Sequence, residues 1–155
     1  MLKNKILSFI LFFIVTFSAS FVGGLVSINL KEPWYSTLIK SNFNPPDWVF
    51  APVWTILYLM MTIAVWNFWH SKNKDMNTVY IYFIHIIVNT TWSIIFFALH
   101  KIFLAMLVLI TLIMFIVLLI IRFKPVNLLS YYLMMPYLLW CSYALFLNIN
   151  LVILN

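Results

Sequence analysis

The stretch from Val79 to Ile121 is apolar over most of its length and is broken by one polar pair, His100-Lys101. As a single helix it would be about 64 Å long at a rise of about 1.5 Å per residue. That is roughly twice the 30 Å hydrocarbon thickness of a bilayer. Because only His100-Lys101 is polar enough to reach water, the sequence predicts that the chain turns back there and crosses a membrane twice.

The rest of the chain has the same character. Of its 155 residues, 66% are hydrophobic and only 8% are charged, whereas about a quarter of the residues of a soluble domain are charged. The sequence therefore predicts a single all-α membrane domain over 1–155, a bundle of five transmembrane helices with a long loop between the first two. The predicted helices cover about 6–28, 47–69, 78–99, 102–121 and 127–149. The first run, about 23 residues, is longer than the 7–15 residues of a signal-peptide core, so it is expected to be retained.

The loop at Asn29–Pro46 is the only connection long enough to act as a lid. Where it meets the second span, proline is suited to the first helical position and aspartate to the positive end of the helix dipole. Pro46 and Asp47 are therefore expected to start that helix, with Pro45 holding the incoming chain extended. Pro52 lies inside the predicted helix and is expected to loosen its first turns, since it cannot donate a backbone hydrogen bond.

Basic residues are distributed unequally between the two ends of the predicted bundle. Six share the N-terminal side and three the other, so the positive-inside rule places the N terminus in the cytoplasm. A bacterial cell membrane is the expected location. No basic run is dense enough for a nucleic-acid partner. The first group is Lys3, Lys5, Lys72, Lys74, Arg122 and Lys124; the second is Lys31, Lys40 and Lys101.

Three spans carry aromatic and hydrogen-bonding side chains at helical spacing. Polar groups at membrane depth usually face the bundle interior or a cavity. One interpretation is that these faces pack together, with Asn89 of the third span and Asn148 of the fifth bonding across the bundle. The other is that large rings leave a slot for a flat, largely hydrophobic ligand. The stripes contain Trp54 and Tyr58 in the second span, His85, Asn89 and Trp92 in the third, and Tyr137, Trp140 and Ala144 in the fifth.

Chemistry carried by the chain's own side chains is scarce. The acidic residues, Glu32, Asp47 and Asp75, all lie outside the predicted spans, which leaves no carboxylate for an intramembrane proton relay. The histidines are too scattered for a metal site. His85 could ligate a porphyrin iron, but a hydrogen-bonded bundle histidine is favoured. No nucleophile-and-base constellation is present, so the pattern favours a binding protein with no obligatory cofactor.

Several segments carry a family resemblance. They are "WY" at Trp34-Tyr35, "FNPPDWVFAPVWTILY" at Phe43–Tyr58, "NTTWSIIFF" at Asn89–Phe97 and "PYLLWCSYALFLN" at Pro136–Asn148. In this order, and over nearly the whole chain, they resemble the TspO/MBR family, whose members are also called translocator proteins, tryptophan-rich sensory proteins or peripheral-type benzodiazepine receptors.

The resemblance implies a five-helix bundle, often a homodimer, that binds protoporphyrin IX, haem, sterols and isoquinoline carboxamide drugs. It implies sensing or transport of tetrapyrroles through a pocket beneath the long loop. On matching positions that pocket would be lined by Trp34, Pro45, Trp54, Asn89, Trp92, Tyr137, Trp140, Ala144 and Leu147. Together with Tyr58 and His85 from the stripes, these are the predicted ligand-binding residues.

Two other functions stay open. Light-dependent porphyrin breakdown, reported for some bacterial relatives, would use Trp54 and Trp140 as the reactive residues. A membrane scaffold or sterol-binding interaction protein would use its aromatic faces only for packing. The C-terminal tail has neither a tyrosine nor a basic residue, so the sterol-recognition pattern of animal relatives is missing, which favours a porphyrin over cholesterol.

Overall fold

A computed structural model describes residues 4–155, so Lys3 lies outside the described residues. The described chain is helical, without strands, and has five helices long and apolar enough to cross a membrane. The predicted five-helix fold is confirmed. The helices are α1 (Lys5–Leu30), α2 (Trp34–Thr37), α3 (Phe50–Trp69), α4 (Met76–Ser93), α5 (Ile102–Phe123) and α6 (Leu128–Leu154). A 3-10 turn, Asp47–Val49, precedes α3, and a π-helical turn, Ile94–Ala98, continues α4.

The observed helices differ from the predicted ones most clearly at the C-terminal helix and in the long loop. The last helix continues to Leu154, beyond the predicted end at 149, because nothing in the apolar tail interrupts it. The long loop contains the single-turn helix α2, which the sequence pattern is too short to reveal. The predicted reversal at His100-Lys101 is present, and His100 adopts a left-handed backbone conformation with φ of 54°.

Three helices begin at side chains that accept the free backbone N–H groups of the first turn. The Asn4 amide oxygen accepts from Ile6 and Leu7, at 2.9 and 3.2 Å. Asp75 accepts from the backbone of Thr78 at 2.8 Å, and Asn127 does the same for α6. Such N-caps stabilise a helix by roughly 1 kcal/mol each, and they fix where α1, α4 and α6 leave the connecting segments.

The prolines before α3 place its start slightly differently from the prediction. Pro46 has φ of −57° and ψ of 144°, so it is the cap before the 3-10 turn and not the first helical residue. Regular α-helix begins only at Phe50. Pro52 then lies in the first α-helical turn, where its missing N–H would have reached the carbonyl of Trp48 in the 3-10 turn. From Phe50 the helix continues unbroken to Trp69.

The five long helices form a closed ring. Helix α1 packs against α3 and α4, α4 packs against α5, α5 against α6, and α6 returns to α3. Helix α5 contributes a purely apolar buried face, whereas the interior faces of α3, α4 and α6 include polar groups. This order brings the aromatic stripes of the second, third and fifth spans to a common centre.

Hydrogen bonds between side chains and neighbouring helices hold this ring together. The hydroxyls of Thr16 in α1 and Tyr82 in α4 are 2.6 Å apart and buried. Ser130 in α6 donates to the carbonyl of Ala64 in α3 at 2.7 Å. Because hydrocarbon offers no water as an alternative partner, such bonds specify which helix faces meet.

Replacing Tyr82 with phenylalanine should therefore destabilise the bundle, because Thr16 loses its partner while the ring is kept. We expect a loss of about 0.6 kcal/mol, and at most about 1.7 kcal/mol, of unfolding free energy. Denaturation in mixed micelles measures this. Tyr80→Phe is the matched control, since Tyr80 is 57% exposed on the same helix. Equal stability of the two variants would contradict the role assigned to Tyr82.

Candidate functional site

A network of four side chains occupies the centre of the ring. The Tyr58 hydroxyl donates to Asn89 Oδ1 at 2.7 Å, and Asn89 Nδ2 donates to the Tyr137 hydroxyl at 2.8 Å. That hydroxyl is also 3.0 Å from Nε2 of His85. All four side chains are buried, and they join α3, α4 and α6. The structure thus brings four predicted ligand-binding residues together, which we call the central network.

Each member of the central network is within hydrogen-bond distance of at least one other member. Trp54 adds a stacked contact on Tyr58, with ring centroids 5.4 Å apart, and an edge contact on Tyr137 at 6.2 Å. The polar side-chain atoms of Tyr58, Asn89 and Tyr137 are hydrogen-bonded, whereas Nδ1 of His85 is buried without a partner in the described chain. Through its Nε2 atom, His85 has the hydrogen-bonded arrangement that the sequence favoured over iron ligation. Ligand contact by these residues stays a prediction.

Two further predicted residues, Trp34 and Trp92, contact the same phenylalanine at the loop end of the bundle. Trp92 stacks on Phe96 with centroids 5.2 Å apart, and Trp34 approaches the same ring edge-on at 5.4 Å. Trp34 also stacks on His100 at 4.3 Å. Tyr35 is buried against Phe96 as well. This loop-side cluster anchors α2 on the end of α4.

The loop is fastened to the bundle over its length. Lys31 and Asp47 form a salt bridge between its two ends. The Tyr143 hydroxyl of α6 donates to the carbonyl of Phe43 at 2.5 Å. The Asn155 side chain accepts from the backbone N–H of Ile39 and donates to its carbonyl, at 2.9 and 3.0 Å. The loop therefore covers this end of the ring, as a lid would.

A groove of about 410 Å³ lies between α3 and α6, on the side of the bundle. Ile56 and Leu139 on its walls are 58% and 71% exposed, so in a membrane the groove opens toward lipid. Trp140, a predicted site residue, forms part of it. The lining is Val53, Ile56, Leu57, Met60, Pro136, Leu139, Trp140 and Tyr143. Pro136 is internal to α6 and cannot donate to the carbonyl of Tyr132.

Some buried polar atoms near these aromatic residues have no hydrogen-bond partner in the described part of the chain. They are Nδ1 of His85, Nε1 of Trp92, Nε1 of Trp140 and both amide atoms of Asn148. The expected bond from Asn148 across the bundle is therefore not present among the described residues. Most buried polar groups in proteins are paired, so each unpaired one requires an explanation. Trp140 and Asn148 are eight residues apart on α6, about two helical turns, and a ligand with hydrogen-bonding groups would explain them.

The remaining predicted residues are more dispersed. Pro45 is half-buried in the loop, Ala144 is half-buried against the main core, and Leu147 is buried on α6. The sequence missed the other walls of the groove. A usable signal existed, because Val53, Leu57 and Met60 recur at helical spacing beside Trp54. Nothing in that pattern, however, shows which face meets α6.

Sequence comparison with known proteins identifies the family. Residues 10–154 match the TspO/MBR family. The chain belongs to the TspO/MBR family. It is 33% identical to a tryptophan-rich protein TspO of Chlorobaculum tepidum, over 99% of both chains. It is 31% identical to protein CrtK of Rhodobacter capsulatus, over 95% of this chain and 92% of that one. It is also 29% identical to a tryptophan-rich sensory protein of Cereibacter sphaeroides, over 80% and 78%.

Membership of the TspO/MBR family and the five apolar helices make this a multi-pass membrane protein. The family resemblance drawn from the tryptophan-rich motifs is confirmed. Those motifs now have distinct places in the bundle. Trp54 packs on the central network, Trp34 and Trp92 build the loop-side cluster, and Trp140 lines the lateral groove.

Replacing Asn89 with alanine should unfold the bundle more easily, because it removes the bridge between Tyr58 and Tyr137. A buried group left without a partner costs about 1–3 kcal/mol, and we expect a loss in that range by denaturation in micelles. Asn150→Ala is the matched control, since the Asn150 side chain bonds only to its own helix, at Phe146. The network would have no stabilising role if both variants lost the same amount.

Proposed function

We propose that this protein binds flat tetrapyrroles of the protoporphyrin IX and haem type, and that it acts in their sensing or transport. The observation that carries the proposal is the position of Trp140. Its ring forms part of an apolar groove open to lipid, while its buried N–H has no partner in the described chain. A hydrophobic ring system with a few acceptor groups satisfies both features.

The groove suits such a ligand in size and character. Its volume of about 410 Å³ lies within the roughly 300–1,000 Å³ that is usual for small-molecule sites, which are mostly apolar with a few polar groups. A porphyrin dissolved in the bilayer would reach Trp140 from the side, without opening the loop. A second groove, between α1 and α4, has about 380 Å³ but carries no tryptophan, so it offers no comparable stacking surface.

The relatives support sensing or transport as the setting. One is named a tryptophan-rich sensory protein, and this chain retains the tryptophans on which the resemblance rests. We propose that this protein also binds isoquinoline carboxamides and forms a homodimer, as the family resemblance implies. We also place the N terminus in the cytoplasm of a bacterial cell, because five basic residues of the described chain lie at the end where α1 begins.

Trp140→Phe should weaken protoporphyrin IX binding about tenfold, equivalent to about 1.4 kcal/mol, because the smaller ring stacks less and offers no N–H. Affinity should be followed by porphyrin absorbance, so that the replaced tryptophan is not the reporter. Trp66→Phe is the matched control, since Trp66 lies at the far end of α3 and donates to the carbonyl of Lys5. Unchanged affinity in Trp140→Phe would refute the groove as the site.

Two measurements separate this proposal from its alternatives. Illumination of the complex tests light-driven breakdown, and simple binding predicts bleaching no faster than that of porphyrin in empty micelles. Thermal melting tests the interaction-protein alternative. A binding protein should melt at a higher temperature with protoporphyrin IX than without it, whereas a scaffold whose aromatic rings only pack would show no shift.

A further inference from the structure

The two ends of the bundle differ in charge. In the described chain, the end where α1 begins carries five basic residues and a single acidic one, Asp75. The loop end carries three basic residues, of which Lys31 is paired with Asp47, and a second acidic residue, Glu32. We call the first group the basic rim; its members are Lys5, Lys72, Lys74, Arg122 and Lys124.

Tertiary contacts assemble the basic rim from three separate segments. At one corner, Trp66 Nε1 donates to the carbonyl of Lys5 at 3.0 Å, and the Ser8 hydroxyl is 2.8 Å from His70 Nε2. These bonds hold the beginning of α1 against the end of α3. The ammonium group of Lys5 is thereby brought to the turn that carries Lys72 and Lys74.

A second set of contacts joins that turn to the next one. Asn127 Nδ2 donates to the Ser71 hydroxyl at 3.1 Å, which links the α3–α4 turn to the α5–α6 turn. Arg122 lies 3.8 Å from Asp75 across the same junction. Lys124 therefore lies on one surface with the lysines of the α3–α4 turn, although about fifty positions separate them in the sequence.

The positive charge of the basic rim is poorly neutralised within the protein. Asp75 accepts hydrogen bonds from Thr78 as the cap of α4, so its carboxylate is shared between that cap and Arg122. In the described chain no acidic group lies within salt-bridge distance of the four lysines. The ammonium groups of Lys74 and Lys124 instead lie over the rings of Trp69 and Tyr131, at 4.6 and 5.6 Å.

The aromatic partners indicate the depth of this surface. Tryptophan and tyrosine concentrate where hydrocarbon meets headgroups, so lysines resting on Trp69 and Tyr131 lie at headgroup level. The corner at His70 is also electropositive. Burial, followed by the neighbouring charges of Lys74 and Lys5, lowers the pKa of the His70 imidazole below its usual value. A negative charge placed there would relieve this repulsion.

We propose that the basic rim binds the headgroups of anionic phospholipids, with Lys72 and Lys124 making the main contacts. Phosphodiester groups supply the negative charge that this end lacks, and the hydrocarbon tails continue along the apolar sides of the bundle. A surface of this kind attracts anionic lipid over zwitterionic lipid through charge. The site is separate from the proposed porphyrin groove and does not depend on it.

The test is thermal melting of the full chain in micelles that contain either phosphatidylglycerol or phosphatidylcholine with identical acyl chains. We expect phosphatidylglycerol to give the higher melting temperature for the unmodified protein. The double variant Lys72→Gln/Lys124→Gln should lose most of that difference, and Lys72→Arg/Lys124→Arg should keep it. The matched control Lys40→Gln/Lys101→Gln removes the same charge from the opposite end and should also keep it.

Added salt gives a second measurement that needs no variant. Because exposed charges are screened within about 10 Å at 0.1 M salt and about 3 Å at 1 M, the extra stabilisation by phosphatidylglycerol should shrink steadily as sodium chloride is added. The proposal is overturned if the two lipids stabilise the unmodified protein equally. It is also overturned if both glutamine variants lose the difference to the same extent, since net charge alone would then explain the effect.

Discussion

The absence of water in the bilayer core is the constraint on which this structure depends. A buried hydroxyl, amide or imidazole there must find its partner inside the protein, and this chain places Tyr58, Asn89, Tyr137 and His85 where each satisfies another. The three helices that carry them occupy fixed positions in the ring as a result. Helix α5 completes the ring with an apolar buried face, which adds no polar group that needs a hydrogen-bond partner.

The same packing bears on the binding site that we propose. Most polar groups at the centre bond to one another, and Trp54 contacts the rings of Tyr58 and Tyr137. The loop closes one end through bonds to Tyr143 and Asn155. We therefore place the proposed ligand in the lateral groove, where Trp140 forms part of the lining and also packs against the main core. Of the four tryptophans predicted to bind a ligand, three pack against other aromatic rings, and Trp140 lines the groove that faces lipid.

The two ends of the bundle differ in charge. Helix caps and tertiary bonds gather cations from the start of α1 and from two turns onto one end, while the loop end neutralises part of its charge internally. A protein with almost no charge inside the membrane therefore keeps a strong difference between its two faces. This difference is the basis on which we propose a cytoplasmic N terminus and a surface for acidic lipid.

The sequence by itself determined the membrane location, the five spans, the reversal at His100-Lys101 and the family, because these depend on local hydropathy, helical length and short motifs. It also placed Trp54, Asn89, Trp92, Tyr137 and Trp140 on stripes of aromatic and hydrogen-bonding side chains. Only the tertiary structure decided which of them satisfy one another and which line a groove, because helical spacing fixes a face but not its neighbour. Asn89 and Trp140 looked equivalent as mid-span polar residues, yet Asn89 is bonded at the centre, whereas Trp140 lines the groove and has a buried N–H without a partner in the described chain. The order of the helices around the ring, a long-range property that no local pattern encodes, makes the difference.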